Sequence, residues 1–111
     1  MPTFDRFDVV SVPFPYTDRP VGQRRPALVV SQPSYEQRTG LLWVVMITAA
    51  ENRRWPGDVL LANARRAGLS IPSVVRPAKI ATIEAAQASH IGGISAAEGR
   101  AVRTAISQIL A

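Results

Sequence analysis

Short apolar runs alternate along this chain with stretches rich in proline, glycine and charge. Phe7 to Phe14 predicts a first strand from its β-branched content. Pro13 and Pro15 limit pairing near its end. Tyr16 to Gln23 is a polar loop carrying Asp18, Arg19, Pro20 and Gly22. Pro26 to Ser31 predicts strand two. Its apolar run Ala27 to Val30 needs cover on both faces, and Pro26 suits a first strand position because it has no N–H for the ladder. Gln32 to Gly40, with Pro33, Ser34 and Gly40, reads as a connection. Leu41 to Ile47 is the most apolar run and predicts a central strand three, ended by Thr48. Ala49 to Gly57 is a second polar loop, and Asp58 to Leu61 a short strand four. Ala62 to Gly68 reads as a helical turn or coil. Ser73 to Arg76 and Lys79 to Ile83 predict two more short strands, separated by a tight bend at Pro77-Ala78.

The tail switches period. Ser95-Ala96-Ala97-Glu98 has capping-box spacing, in which the serine and glutamate side chains each satisfy the other's backbone donor. Val102, Ile106, Ile109 and Leu110 then recur at helical spacing. Gly99 weakens the first turns by about 1 kcal/mol relative to alanine. Five or six short strands with one terminal helix predict a mainly β fold, a small and strongly curved sheet or barrel. With 111 residues, no internal repeat and no low-complexity tract, a single domain over 1–111 is expected.

Charge adds a partner. The net charge is +5, from 13 basic and 8 acidic residues. Twelve of the basic residues are arginine and only Lys79 is lysine. A polyanion, nucleic acid first, is the expected partner. The absence of cysteine excludes disulfides and thiolate metal sites. No apolar run approaches the ~20 residues of a membrane span, and Met1 to Arg6 lacks signal-peptide patterning. A soluble cytoplasmic protein is expected.

The residues that carry chemistry are few. Arg24 and Arg25 stand at the rim of strand two, where a guanidinium fork can grip two phosphate oxygens; an edge salt bridge or a solvated turn is the plainer reading. Arg53 and Arg54 with Trp55 make either a loop that faces a nucleic acid, with the indole stacking a base, or a solvated loop with Trp55 tucked on the core. Arg65-Arg66 reads as a solvated turn. His90 is the only histidine, which excludes a paired-histidine nuclease. The acids show none of the clustered spacing that hard cations need, so neither metal nor cofactor is expected. Ser31 has no neighbour in sequence to activate it.

In order and spacing, several segments together resemble the MazF/PemK family of toxin endoribonucleases. They are Asp8 to Asp18, Arg24 to Ser31, Val45 to Thr48, Ala67-Gly68-Leu69, Ser73 to Arg76, Lys79 to Ile83 and Ile91-Gly92. The resemblance implies an SH3-like barrel that forms a homodimer and cleaves single-stranded RNA at short motifs without a metal. It also implies an antitoxin whose acidic, disordered tail blocks the RNA groove. By position, the family's catalytic arginine and threonine fall on Arg25 and Thr48, and Gln23, Arg24, Asp18, Arg53, Arg54 and Lys79 make the expected RNA-binding set. Family members often open strand one with Gly-Asp, where this chain has Phe7-Asp8, and often carry an acid where Ala78 stands.

That chemistry uses the ribose 2′-hydroxyl as nucleophile and builds charge on the phosphate oxygens, which fixed donors must stabilise. Two other readings stand beside it. One is a non-enzymatic barrel toxin of the gyrase-binding CcdB type, against which the tail Ile109-Leu110-Ala111 speaks, since it lacks that type's tryptophan. The other is a catalytically silent module that binds nucleic acid or antitoxin.

Overall fold

In a computed structural model, residues 3–13 and 23–111 are described, and they build one six-stranded antiparallel sheet with two helices. The elements in chain order are β1 (Asp8–Pro13), β2 (Arg24–Val29), α1 (Pro33–Thr39), β3 (Leu41–Ala49), β4 (Val59–Leu60), β5 (Ser73–Glu84), a 3-10 turn (Ala85–Gln87), β6 (Ser89–Gly93) and α2 (Ala96–Leu110). Across the sheet the order is β4-β5-β3-β2-β1-β6, so the most apolar strand is central, as its composition requires. The sheet curls into a half-barrel with α2 packed on it, the mainly β architecture expected from the strand pattern.

Strand alternation divides the core between the two faces. Val10, Val12, Ala27, Val29, Val44 and Met46 form one cluster, while Val9, Leu28, Val45, Ile47 and Val75 join Val102 of α2 in the other. This double cover is why β2 and β3 read as continuous apolar runs rather than alternating ones. The capping box of α2 forms as its spacing predicts: the Glu98 N–H donates to Ser95 Oγ at 3.1 Å, and the Ser95 N–H donates to Glu98 Oε1 at 2.9 Å. The apolar stripe of α2 is covered only at its start. Val102 is fully buried, whereas Ile109 is 59% and Leu110 75% exposed.

Several boundaries differ from expectation for physical reasons. Gln32 to Gly40 is not irregular, because Pro33 opens α1 and Gly40, at φ 73°, closes it in the left-handed conformation. Proline at the first turn and glycine past the last are helix punctuation as much as turn signals. β2 begins at Arg24, two residues before Pro26, and there its ladder runs against β1 (Ser11↔Pro26, Val12↔Arg25). Pairing with β3 starts only at Ala27, so the missing Pro26 N–H interrupts nothing on that side. β3 runs through Thr48 to Ala49, and β4 shrinks to two residues. The two short strands expected around Pro77 are one strand, β5. Its register against β3 jumps from Met46↔Arg76 to Val45↔Ile80, and this bulge takes up Pro77 outside the ladder. Phe14 and the loop from Tyr16 to Gly22 lie outside the described residues.

The open edges of the sheet are brought together by glycine. The turn after β4 lies on β6, where the Gly93 N–H donates to Arg66 O at 3.1 Å. A Cβ at Gly68 would collide with the Ile91 carbonyl, and one at Gly92 with the backbone of Ala67. Only glycine admits so close an approach of two backbones.

Candidate active site

The rim of this half-barrel holds a cleft of about 630 Å³, walled by the start of β2, the end of β3, the segment from Gly68 to Ile71 and Ile91 of β6. Arg25 and Thr48 both line it. The antiparallel register of β2 and β3 pairs Ala27 with Met46; two residues further on, the same register sets Arg25 opposite Thr48. Extending the register two residues past the end of the ladder thus accounts for both residues lining the cleft.

Both neighbouring arginines line the cleft, but their hydrogen-bond partners differ, as successive strand residues start toward opposite faces. Arg24 turns to β1 and the 3-10 turn. Its Nε donates to Ser11 Oγ at 3.0 Å, and its Nη2 donates to Ser11 O at 2.6 Å and to Gln87 O at 2.7 Å. These bonds staple β2 to β1 and to the segment after β5. Arg25 is exposed and donates from Nη2 to Gln23 Oε1 at 3.2 Å, so Gln23 sits beside the guanidinium as a steering acceptor.

Thr48 is half-buried and has a partner that sequence reasoning missed. Asn52 Nδ2 donates to Thr48 Oγ1 at 2.7 Å. The Ala49–Asn52 turn holds it there, with the Asn52 N–H donating to Ala49 O at 3.1 Å and the Ala50 N–H to Pro72 O at 2.9 Å. The available signal is an asparagine four residues past a threonine near a strand end, in the loop that also carries Arg53, Arg54 and Trp55.

The loop that follows is fastened from beneath. Arg76 and Asp58 form a buried ion pair at 2.9 Å, with Arg76 Nε also donating to Asp58 Oδ1 at 3.1 Å. Arg76 Nη2 donates to Arg53 O at 2.7 Å, and the Trp55 N–H donates to Asp58 Oδ2 at 3.0 Å. The indole lies under two cations, with the Arg76 guanidinium 4.4 Å and the Lys79 ammonium 5.1 Å from its ring centroid. Burial alone would raise the Asp58 carboxyl. The Arg76 hydrogen bond and the Trp55 N–H, helped by the charges of Arg76 and Arg54, outweigh it and hold the carboxyl below its ordinary 3.8. Trp55 is half-buried and belongs to neither core cluster. The side chains of Arg53, Arg54 and Lys79 do not line the cleft, although Arg53 directly follows Asn52. Asp18 lies outside the described residues.

Chemically the cleft offers guanidinium and hydroxyl groups, and no Asp, Glu or His is among the described residues lining it. That is an environment for an anion. His90 is turned to β1 instead, with Nε2 3.5 Å from Asp8 Oδ1. Among the described residues no three acid or imidazole groups gather as a metal site would need, and no helix is long and apolar enough to cross a membrane.

Comparison with known proteins places this geometry in a context. The family described as the PemK-like, MazF-like toxin of type II toxin-antitoxin systems matches residues 5–110. No curated protein matches the chain in sequence. Among solved structures, a MazF from Deinococcus radiodurans is 25% identical, with TM-score 0.79 over 99% of this chain and 98% of its own. A MazE-MazF complex from the same organism is 25% identical with TM-score 0.80, over 98% and 97% of the two chains. An endoribonuclease from a mycobacterial species, 19% identical, shares the fold at TM-score 0.77 over 99% of this chain and 93% of that one.

Proposed function

Since the chain belongs to the PemK-like, MazF-like toxin family of type II toxin-antitoxin systems, we propose that it is the toxin endoribonuclease of such a system and cleaves single-stranded RNA at the rim cleft without a metal. The observation that supports this reading is that Arg25 and Thr48 line one donor-rich cleft at the neighbouring ends of β2 and β3. The 2′-hydroxyl attacks the adjacent phosphorus and gives its proton to water, the bond to the 5′-oxygen breaks to leave a 2′,3′-cyclic phosphate, and the departing 5′-oxygen takes a proton from water. Charge gathers on the non-bridging oxygens as this happens. Arg25, permanently cationic, clamps those oxygens through its fork, and the Thr48 hydroxyl adds a neutral donor to the same phosphate. Gln23 steers Arg25. Arg24 acts mainly through the strand it staples, Arg53, Arg54 and Lys79 supply positive charge along the path of the RNA beyond the cleft, and Asp18 completes the RNA-binding set.

The same reading includes a homodimer and an antitoxin. Trp43, Ile80, Ile109 and Leu110 are exposed around an apolar concavity of about 480 Å³ on the β3-β5-α2 side, a surface that a second copy covers. The Deinococcus relative is solved with MazE. An acidic, partly disordered antitoxin segment would compete with RNA by setting carboxylates on the arginines.

The test is cleavage of a long single-stranded RNA in EDTA by the parent, Arg25→Ala, Thr48→Ala and Arg24→Ala. The parent cleaves. Arg25→Ala loses on the order of 10²–10³ in rate, as for loss of one preorganised oxyanion donor, and Thr48→Ala loses less, because a neutral hydroxyl makes the weaker bond. A silent parent, or an Arg25→Ala protein that cleaves at the parental rate, overturns the reading.

A further inference from the structure

We infer that Asn52 is a positioning residue of this site: by donating to Thr48 Oγ1 it fixes the direction in which the Thr48 hydroxyl donates. The inference rests on the ribonuclease reading and deepens it. A threonine hydroxyl carries one O–H donor and two acceptor lone pairs, and its hydrogen rotates to suit its surroundings. At 2.7 Å the Asn52 amide occupies one of those lone pairs. The Thr48 O–H then cannot point back along that bond and is turned outward, toward the cleft that Thr48, Arg25 and Asn52 all line. A hydroxyl that accepts one hydrogen bond also donates the next more strongly, because a chain of such bonds polarises each member. Asn52 is itself exposed and belongs to neither core cluster, so its side chain does little for stability. Its backbone position is set by the Ala49–Asn52 turn and by the loop fastened through Asp58 and Arg76. The amide thus stands where it can act on the hydroxyl without being needed to hold the fold.

The experiment is a double-mutant cycle of Asn52→Ala and Thr48→Ala, read as single-turnover cleavage of one RNA with protein in excess. Binding is measured separately on the same RNA made uncleavable by a 2′-deoxy sugar at the scissile position, and thermal midpoints check folding. An orienting hydrogen bond predicts a loss of about three- to tenfold in rate for Asn52→Ala, with binding of the uncleavable RNA changed by less than about twofold and an unchanged midpoint. In the Thr48→Ala background the same change has no further effect, since the group it orients is gone. Asn52→Asp, which accepts where the amide donates, turns the hydroxyl inward and loses more rate than Asn52→Ala, and this excess too shrinks when Thr48 is absent. The inference is overturned if Asn52→Ala cleaves at the parental rate, or if its loss multiplies in full on top of Thr48→Ala. It is overturned separately if Thr48→Ala is harmless while Arg25→Ala is dead, for then the hydroxyl has no part to be oriented. A silent parent brings down the ribonuclease reading and this inference together, whereas the other failures leave that reading standing.

Discussion

Removing the Asp58 carboxylate tests whether the loop behind the cleft is held by a buried charge or merely decorated with one. In Asp58→Ala the Arg76 guanidinium stays buried, its side chain being 7% exposed, and loses the two oxygens it grips at 2.9 and 3.1 Å. Breaking a buried pair by removing one partner costs about 3–5 kcal/mol. Arg76 keeps its bond to Arg53 O and its place over Trp55, which argues for the lower end. The Trp55 N–H loses its acceptor as well, worth about 1 kcal/mol if water does not replace it. Roughly 3–4 kcal/mol results. With an unfolding entropy near 2.1 cal/mol/K per residue, a chain of 111 residues should melt about 13–17 °C lower. Thermal and urea unfolding at one fixed protein concentration measures this. A surface-type pair would cost no more than about 1 kcal/mol, so an Asp58→Ala protein within that margin of the parent refutes the argument. The pH dependence has a definite sign. The folded carboxyl titrates below its ordinary 3.8, so the pair contributes in full above that value and is lost as the pH falls through the folded one. The gap between parent and variant should therefore narrow in acid below about 3.8.

Two further predictions concern α2. Gly99→Ala, which helix propensity alone would make stabilising by about 1 kcal/mol, should instead destabilise: the new Cβ would lie 2.7 Å from Phe7 Cδ2 and 2.9 Å from Cε2. Urea midpoints in the parent and in a Phe7→Gly background should show the sign reversing, and a gain in the parent equal to the propensity value would refute the packing. Glu98→Gln should cost about 1–2 kcal/mol, because the carboxylate accepts from the N–H groups of both Ser95 and Ala62 at 2.9 and 2.6 Å. Burial would raise that carboxyl, but those hydrogen bonds and Arg66 hold it below 4.5. The loss should thus be full above pH 4.5 and fade as the pH falls below it, as a pH series of unfolding curves would record.

What sequence patterning could supply here was whatever depended on local physics. The capping box at Ser95 and the apolar runs of β2 and β3 are local, and they appear where they were expected. The Arg25–Thr48 juxtaposition also follows from local reading plus one assumption, that strands two and three are antiparallel neighbours. The losses occurred where one residue type serves two purposes. Pro33 and Gly40 punctuate a helix as readily as a loop, and Pro77 sits inside a strand because a bulge removes it from the ladder. β6, with Gly92 and Gly93, has little strand propensity of its own. It is a strand because β1 pairs with it and because Gly92 lets the turn at Ala67 lie against it, a contact no sequence window contains. Asn52 was missed for a similar reason: its meaning lies in one bond to Thr48.

Phe7 shows how the family pattern and this chain's packing bear on one another. Where family members often have glycine, Phe7 keeps a backbone conformation that glycine would adopt without cost, at φ 75°. For a bulky residue that region costs roughly 1–2 kcal/mol. The compensation lies in what the ring fills. It occupies the space beside Gly99 of α2 and packs with the cluster that includes Val9 and Val102, and burying even part of a phenyl ring returns about as much as the strain removes. The ring of residue 7 thus occupies the space that the missing side chain of residue 99 leaves open. Phe7 and Val30, with Ile106, Ile109 and Leu110 of α2, line the apolar concavity. A substitution at Phe7 should therefore reach beyond local strain to the shape of that concavity, which Phe7 lines, while the Arg25–Thr48 cleft, which Phe7 does not line, stays as it is.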